Sequence, residues 1–383
     1  MNFDPDARQK QLLKDIRGLM AGKTEGVTRP EELSPEDLYQ VYHDLLVTLR
    51  DSGYLELGAI SSSAAGTPFA DYSTIVLAGE ELARQAPAVY FGLEMSIRLA
   101  GGLLARYGTE AQKDRYLAPL LRGDLLGTVT TRETLGSFPA AGIATEAEKI
   151  DQSYFLTGTK KGVALGALAD FLLVPAMWQD RLGLFLIPSG SEGLTVSEPV
   201  KTLGYEQAAL SELRLSSCPV PEAEVLGFFE PEEILTELRI RENLALAVSA
   251  LGLMHRALSQ AKAYAVETGD GGKAPMAQQE VRYRLADMFT LLQTSQLVAY
   301  RSAWMLEAGL PEAGTVADAA KVFIAEAAEE ITRGAMQITG LDGYLGAAGI
   351  EALYRNARFG PVAGDSSEVL RLRIADECLR KFA

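Results

Sequence analysis

From Pro5 to about Leu125 apolar residues recur at three- and four-residue spacing, and Gly or Pro interrupts them only at intervals. Leu82, Val89, Leu93 and Ile97 illustrate the period, which predicts a helical segment. Around Gly127 the texture changes. Tyr154–Leu156, Phe171–Val174, Leu184–Ile187 and Leu213–Leu215 are short apolar or alternating runs, separated by turn signals such as Thr157-Gly158, Pro188-Ser189-Gly190 and Cys218-Pro219. That pattern predicts an antiparallel β unit of roughly 100 residues. From Pro231 onward helical periodicity returns, with Ile234, Leu238, Leu244, Ala247, Leu251 and Leu258 on one stripe, and another long helix is expected over Ala319–Ile338. The chain therefore reads as α, then β, then α, with expected segments 1–125, 126–229 and 230–383. There is no internal repeat, and Gly22–Glu36 and Thr268–Gly272 are the expected loops.

With 383 residues, 48% of them hydrophobic and 23% charged, the composition is that of a globular protein rather than a disordered or fibrous one. The net charge of −15 makes nucleic acid an unlikely partner, since phosphate binding needs clustered Lys and Arg. Dense apolar runs such as Phe171–Trp178 fall short of the ~20 residues that span a bilayer, so no membrane span and a cytoplasmic location are expected. Only Cys218, Cys378, His43 and His255 represent their types, which argues against a disulfide framework, a metal centre or a histidine-rich triad. Any chemistry must run on carboxylates, hydroxyls, backbone and a bound cofactor.

A series of short motifs gives the segments a family. Phe69-Ala70-Asp71, Gly79-Glu80-Glu81-Leu82-Ala83 and the run Tyr107–Leu117 come first, followed by the run Tyr154–Lys160, Ala169-Asp170 and Lys201-Thr202-Leu203-Gly204. Leu285-Ala286-Asp287-Met288, Met336-Gln337-Ile338, Arg355-Asn356-Ala357-Arg358 and Ser367-Glu368-Val369 complete it. In order and over nearly the whole chain, these resemble the acyl-CoA dehydrogenases. The resemblance implies an α+β multidomain fold: an N-terminal α-helical domain, a middle antiparallel β-barrel and a C-terminal four-helix bundle. It also implies FAD in a crevice between the barrel and the bundle, completed by a neighbouring subunit. The implied substrate is an acyl-CoA thioester, the implied acceptor an electron-transferring flavoprotein, and the implied assembly a homo-oligomer or a hetero-oligomer with a paralogous subunit. In the family's reaction a glutamate removes the α-proton while the β-hydrogen leaves as hydride to the flavin.

In most of the family that glutamate lies a fixed distance after the Arg-Asp-Ala-Arg motif, a position that falls here on Gly364. One branch, with relatives resembling isovaleryl-CoA and long-chain dehydrogenases, carries it instead on the first long C-terminal helix, where Glu242 stands. The resemblance thus makes Glu242 the base, with Asp365 a weaker candidate and Glu368 non-catalytic. Read without it, Glu242 is equally an N-terminal helix residue favoured by the macrodipole or part of a solvated helix face beside Glu237, Arg239 and Arg241. The flavin motif Thr-Glu-Pro-x-x-Gly-Ser-Asp aligns with 131–138, which assigns Thr131, Gly136 and Ser137 to the cofactor, and Gln-x-x-Gly-Gly adds Gln337 and Gly340. The usual Trp-x-Thr flavin contact is replaced by Gly162 and Ala164, and the Arg and Phe lent by a neighbour correspond to Thr268 and Gly271. His255, Trp178 and Trp304 are expected to pack rather than react. Three activities stay open: acyl-CoA dehydrogenation, a catalytically silent FAD-deficient subunit of a heteromer, and a flavin-free lyase or hydrolase on acyl-CoA.

Overall fold

The computed structural model describes residues 4–20, 33–58, 69–133, 142–267, 274–345 and 349–380. Gly136, Ser137, Thr268 and Gly271 lie outside this set, as does most of the expected loop Gly22–Glu36. The end of that loop is structured: Ser34 caps the helix Pro35–Leu49 in a reciprocal box with Asp37, and Pro35 occupies the first turn, where its missing N–H costs nothing.

The N-terminal helices Ala7–Met20, Pro35–Leu49 and Tyr72–Gln85 lead into an apolar helix, Pro87–Tyr107. Pro87 restarts the helix after Ala86, whose extended backbone breaks the run that Leu82 and Val89 suggest. At 21 residues Pro87–Tyr107 is longer than the sequence reading allowed and would suit a membrane by length and composition. Its most apolar stretch is 94% buried inside the fold, so it is a core helix. A π-type turn, Met95–Gly101, widens its middle. That turn is anchored by Arg98, whose guanidinium donates to the carbonyls of Tyr54 and Leu55, and by Ser96, whose Oγ accepts from Gly127 N at 3.0 Å.

Eight strands follow: β1 Gly127–Val129, β2 Glu146–Ile150, β3 Ser153–Val163, β4 Phe171–Trp178, β5 Arg181–Pro188, β6 Leu194–Val196, β7 Ser211–Pro221 and β8 Val225–Phe229. They form one sheet in the order β6-β7-β3-β2-β4-β5-β8, with β1 beside β4. The four expected runs lie inside β3, β4, β5 and β7. Residues of both halves, Leu156, Leu213 and Leu215 with Leu172, Val174 and Phe185, share one core, so the sheet folds over itself. It is not purely antiparallel, as was expected: β1 and β2 each pair with β4 in parallel. Among the described residues β6 and β8 end the strand path.

Three long helices complete the chain, Pro231–Val266, Gln279–Glu307 and Ala313–Tyr344, with Ile350–Ala357 and Ser367–Arg380 packed on the last of them. Ile234, Leu238, Leu244, Ala247, Leu251 and Leu258 are all buried, as their stripe requires. Gly252 allows the first of these helices to meet Tyr72–Gln85 closely, because a Cβ there would lie 2.3 Å from the Ala83 carbonyl. A second, polar junction joins the same elements. Buried Glu80 accepts hydrogen bonds from Tyr300 and Gln296 and meets His255 and Arg84, so His255 is a structural residue between helices. Trp178 packs edge-on against Tyr154, whereas Trp304 is 38% exposed.

Candidate active site

The three parts of the chain converge on one cavity of about 460 Å³. Phe91, Met95 and Leu99 supply one wall from the widened helix, and Val129–Arg132 with Lys161–Ala164 supply the strand side. Glu242 and the segment 358–364 close it from the C-terminal helices.

Glu242 reaches the cavity because its neighbours hold the helix on both flanks. Arg241, buried, donates to Glu237 at 2.7 Å, to Tyr72 Oη and to the Arg98 carbonyl, which ties one face to the N-terminal helices. On the other side Arg239 pairs with Asp318 at 3.1 Å, and Asn243 Nδ2 donates to the same carboxylate at 3.0 Å. Successive helix positions turn by about 100°, so the residue between these anchors has only the cavity to face. Glu242 is half-buried and has no hydrogen-bond partner among the described residues. The solvated-face reading is therefore wrong. Burial pushes its carboxyl above the usual carboxylate range, while Arg132 and Lys321 pull against that and Asp365 reinforces it.

Gly364 completes the geometry. Its φ of +61° is a conformation L side chains rarely adopt, and a Cβ built there would lie 3.6 Å from Glu242 Cδ and 2.9 Å from Leu246 Cδ1. The two positions that the sequence offered for a base thus address one point in the cavity. Asp365, the weaker candidate, sits 3.3 Å from Arg373 in an ion pair and does not line the cavity.

Sequence reasoning passed over Lys321. It is fully buried on the apolar stripe of Ala317, Ala320, Ile324 and Ala328, and its Nζ donates to the Asp365 carbonyl at 2.7 Å, which fixes the segment after Gly364. Burial lowers its ammonium to about 8. A lysine interrupting an apolar stripe was the available signal. On the strand side, Glu133 holds the start of the loop after β1: it accepts from Lys160 at 2.6 Å, Thr145 N and Thr145 Oγ1. Lys160 is fully buried and also lowered to about 8 by burial.

The strand side of the cavity presents polar groups without partners among the described residues. Thr131 lines it, half-buried, and the buried hydroxyls of Thr130 and Thr202, also on its wall, have no hydrogen-bond partner. Lys161 N donates to the Arg132 carbonyl at 2.8 Å, which brings the 131–132 and 161–164 segments side by side. Gly162 and Ala164 line the cavity where the resemblance expects larger side chains; Gly162 has φ +61°, and a Cβ there would meet open space. Gln337 and Gly340 are elsewhere. Both are exposed, near the end of Ala313–Tyr344, and Gly340, with φ 57° and ψ −132°, kinks that helix. They do not line their own chain's cavity.

Comparisons with known proteins agree with this layout. The models for the N-terminal, middle and C-terminal domains of acyl-CoA dehydrogenase match residues 6–124, 128–218 and 237–379. Short-chain specific acyl-CoA dehydrogenase of Bos taurus is 29% identical over 84% of this chain and 78% of its own. Benzylmalonyl-CoA dehydrogenase of Aromatoleum aromaticum is 29% identical over 80% and 82%. The structure of butyryl-CoA dehydrogenase from Megasphaera elsdenii superposes with a TM-score of 0.86 at 25% identity, covering 99% of this chain and 100% of that one. With all three domains matched and a shared cavity between them, the chain belongs to the acyl-CoA dehydrogenase family.

Proposed function

We propose that this chain is an FAD-dependent oxidoreductase that dehydrogenates an acyl-CoA thioester to the α,β-unsaturated thioester, with Glu242 as the base that takes the α-proton. The observation that carries this reading is the shared point in the cavity: Glu242 carboxyl and a side chain at Gly364 would occupy adjacent space. The α-carbon belongs there, since a base must come within about 3 Å of the proton it removes. Arg241 and Asn243 hold the carboxylate's helix turn in place, the work of orientation that intramolecular geometry rewards. The wall of Phe91, Met95 and Leu99 gives the cavity an apolar side, which lowers the polarity around the carboxylate. FAD, when bound, supplies the acceptor for the β-hydrogen as hydride. Thr131 and the backbone around Gly162–Ala164 are the groups of this chain that would hold its ring edge, and the resemblance adds Gly136 and Ser137. Gln337 and Gly340, exposed and not among the residues that line their own chain's cavity, serve the site of a neighbouring subunit in an oligomer. An electron-transferring flavoprotein is the proposed electron acceptor.

Glu242→Gln is the direct test: turnover is lost while bound flavin is kept, and a variant that still turns over shows that the base is elsewhere. One observation favours a second reading, a catalytically silent subunit of a heteromer. Gly162 and Ala164 face the cavity with no side chain able to embrace the flavin. Under that reading the purified chain alone is colourless and takes up flavin only with a paralogous partner.

A further inference from the structure

The cavity carries a charge that the chemistry above does not use. Although the whole chain has a net charge of −15, the ionisable residues lining the cavity are Arg132, Lys161, Arg355 and Arg358 against the single acid Glu242. Lys161 faces Glu212 at 3.8 Å, and Arg358 pairs with Glu329. Arg132 differs. It is half-buried on the cavity wall, its main chain is fixed by the Lys161 N–H, and its guanidinium has no hydrogen-bond or ion-pair partner among the described residues. The same cavity is lined by the apolar side chains of Phe91, Met95, Leu99, Val129 and Leu210. A guanidinium drawn partly out of water without an anion is costly, and its planar fork of donors matches a carboxylate in two-point contact.

We propose that Arg132 is a specificity-determining residue that binds a free carboxylate on the acyl group, so that the substrate is the CoA monothioester of a short dicarboxylic acid. This rests on the thioester reading above and deepens it. Arg132 and Glu242 line the same cavity of about 460 Å³, which sets the guanidinium within reach of the carbon to be deprotonated. The second carboxylate therefore lies a few bonds from that carbon, on a short chain.

The test compares two thioesters of equal length that cannot be dehydrogenated because sulfur replaces the β-carbon: 3-thiaglutaryl-CoA, which ends in a carboxylate, and 3-thiapentanoyl-CoA, which ends in a methyl group. Their dissociation constants are measured by calorimetry on the wild-type protein as purified. The dicarboxylic analogue should bind tighter by about 10- to 100-fold, the range of a charge-assisted hydrogen bond in a part-buried site. In Arg132→Gln that ratio should fall to near one, and Arg132→Lys should keep part of it. Equal binding of the two analogues to the wild type overturns the proposal without any variant and leaves the thioester reading standing. Failure of both to bind overturns the thioester reading and this inference together. An unchanged ratio in Arg132→Gln, accompanied by loss of flavin, overturns the proposal by assigning Arg132 to a cofactor phosphate.

Discussion

A carboxylate placed in a part-buried cavity without a donor has two consequences that can be measured separately. The first is catalytic. Because burial raises the Glu242 carboxyl and only its ionised form accepts a proton, kcat should rise with pH through a value above the ordinary glutamate range and fall away in acid. Glu242→Asp retracts the group by one methylene, and a displacement of that size should lower kcat by about 100-fold; an unaltered kcat contradicts the base assignment. The second is thermodynamic. A folded-state value above the unfolded one means that the native state holds the extra proton, so the wild type loses stability as pH rises through that window. Glu242→Gln has no such loss, and thermal melts at acid and neutral pH should show its advantage over the wild type growing as pH rises. The candidate base was legible in the sequence because two separate positions, a glutamate on a periodic helix and a glycine at a counted distance, each point to it. Arg132 was not, since it became informative only when distant elements placed it against the cavity, and Lys321 showed only as a lysine interrupting an apolar stripe, its hold on the Asp365 carbonyl being set by the fold.

At the scale of elements, the cavity depends on buried polar clamps as much as on apolar packing. The Glu133–Lys160 pair ties the segment after β1 to β3 and β4, with Lys160 Nζ also donating to the Pro175 carbonyl at 2.7 Å. Glu133→Gln leaves a fully buried ammonium without its counter-charge and should cost about 3–5 kcal/mol in chemical denaturation. A midpoint within error of the wild type contradicts that role. Gly252→Ala tests the helix crossing in a different way, because its Cβ would strike the Ala83 backbone rather than a movable side chain. Overpacking of that kind should destabilise by about 1–3 kcal/mol. The helices were readable from their period, and β3, β4, β5 and β7 from their short apolar runs. The parallel pairing of β1 and β2 with β4 was not, since the partner of a strand is set by long-range packing that local alternation does not encode. Nor does a count of apolar residues distinguish Pro87–Tyr107 from a membrane span; its surroundings do.

For the whole molecule, the end of Ala313–Tyr344 is one of the places where the described residues leave large apolar side chains exposed. Beyond the Gly340 kink, Leu341, Tyr344 and Leu345 are exposed by 68%, 73% and 68%, an apolar surface beside two residues that the family resemblance assigns to a flavin. Sequence alone could name Gln337 and Gly340 but not whose cavity they serve. If they complete a neighbour's site, Leu341→Asp with Tyr344→Asp should shift the sedimentation coefficient to that of a smaller species and lower flavin retention with it; an unchanged assembly places the subunit contact elsewhere. The central claim, that this chain binds its own flavin and uses Glu242 on a CoA thioester, is tested most directly by the visible spectrum of the protein purified alone and titrated anaerobically with acyl-CoAs. A flavin band that bleaches on addition of thioester to the wild type, and persists in Glu242→Gln, is the predicted result. A colourless protein, or a bound flavin that no thioester bleaches, would contradict it.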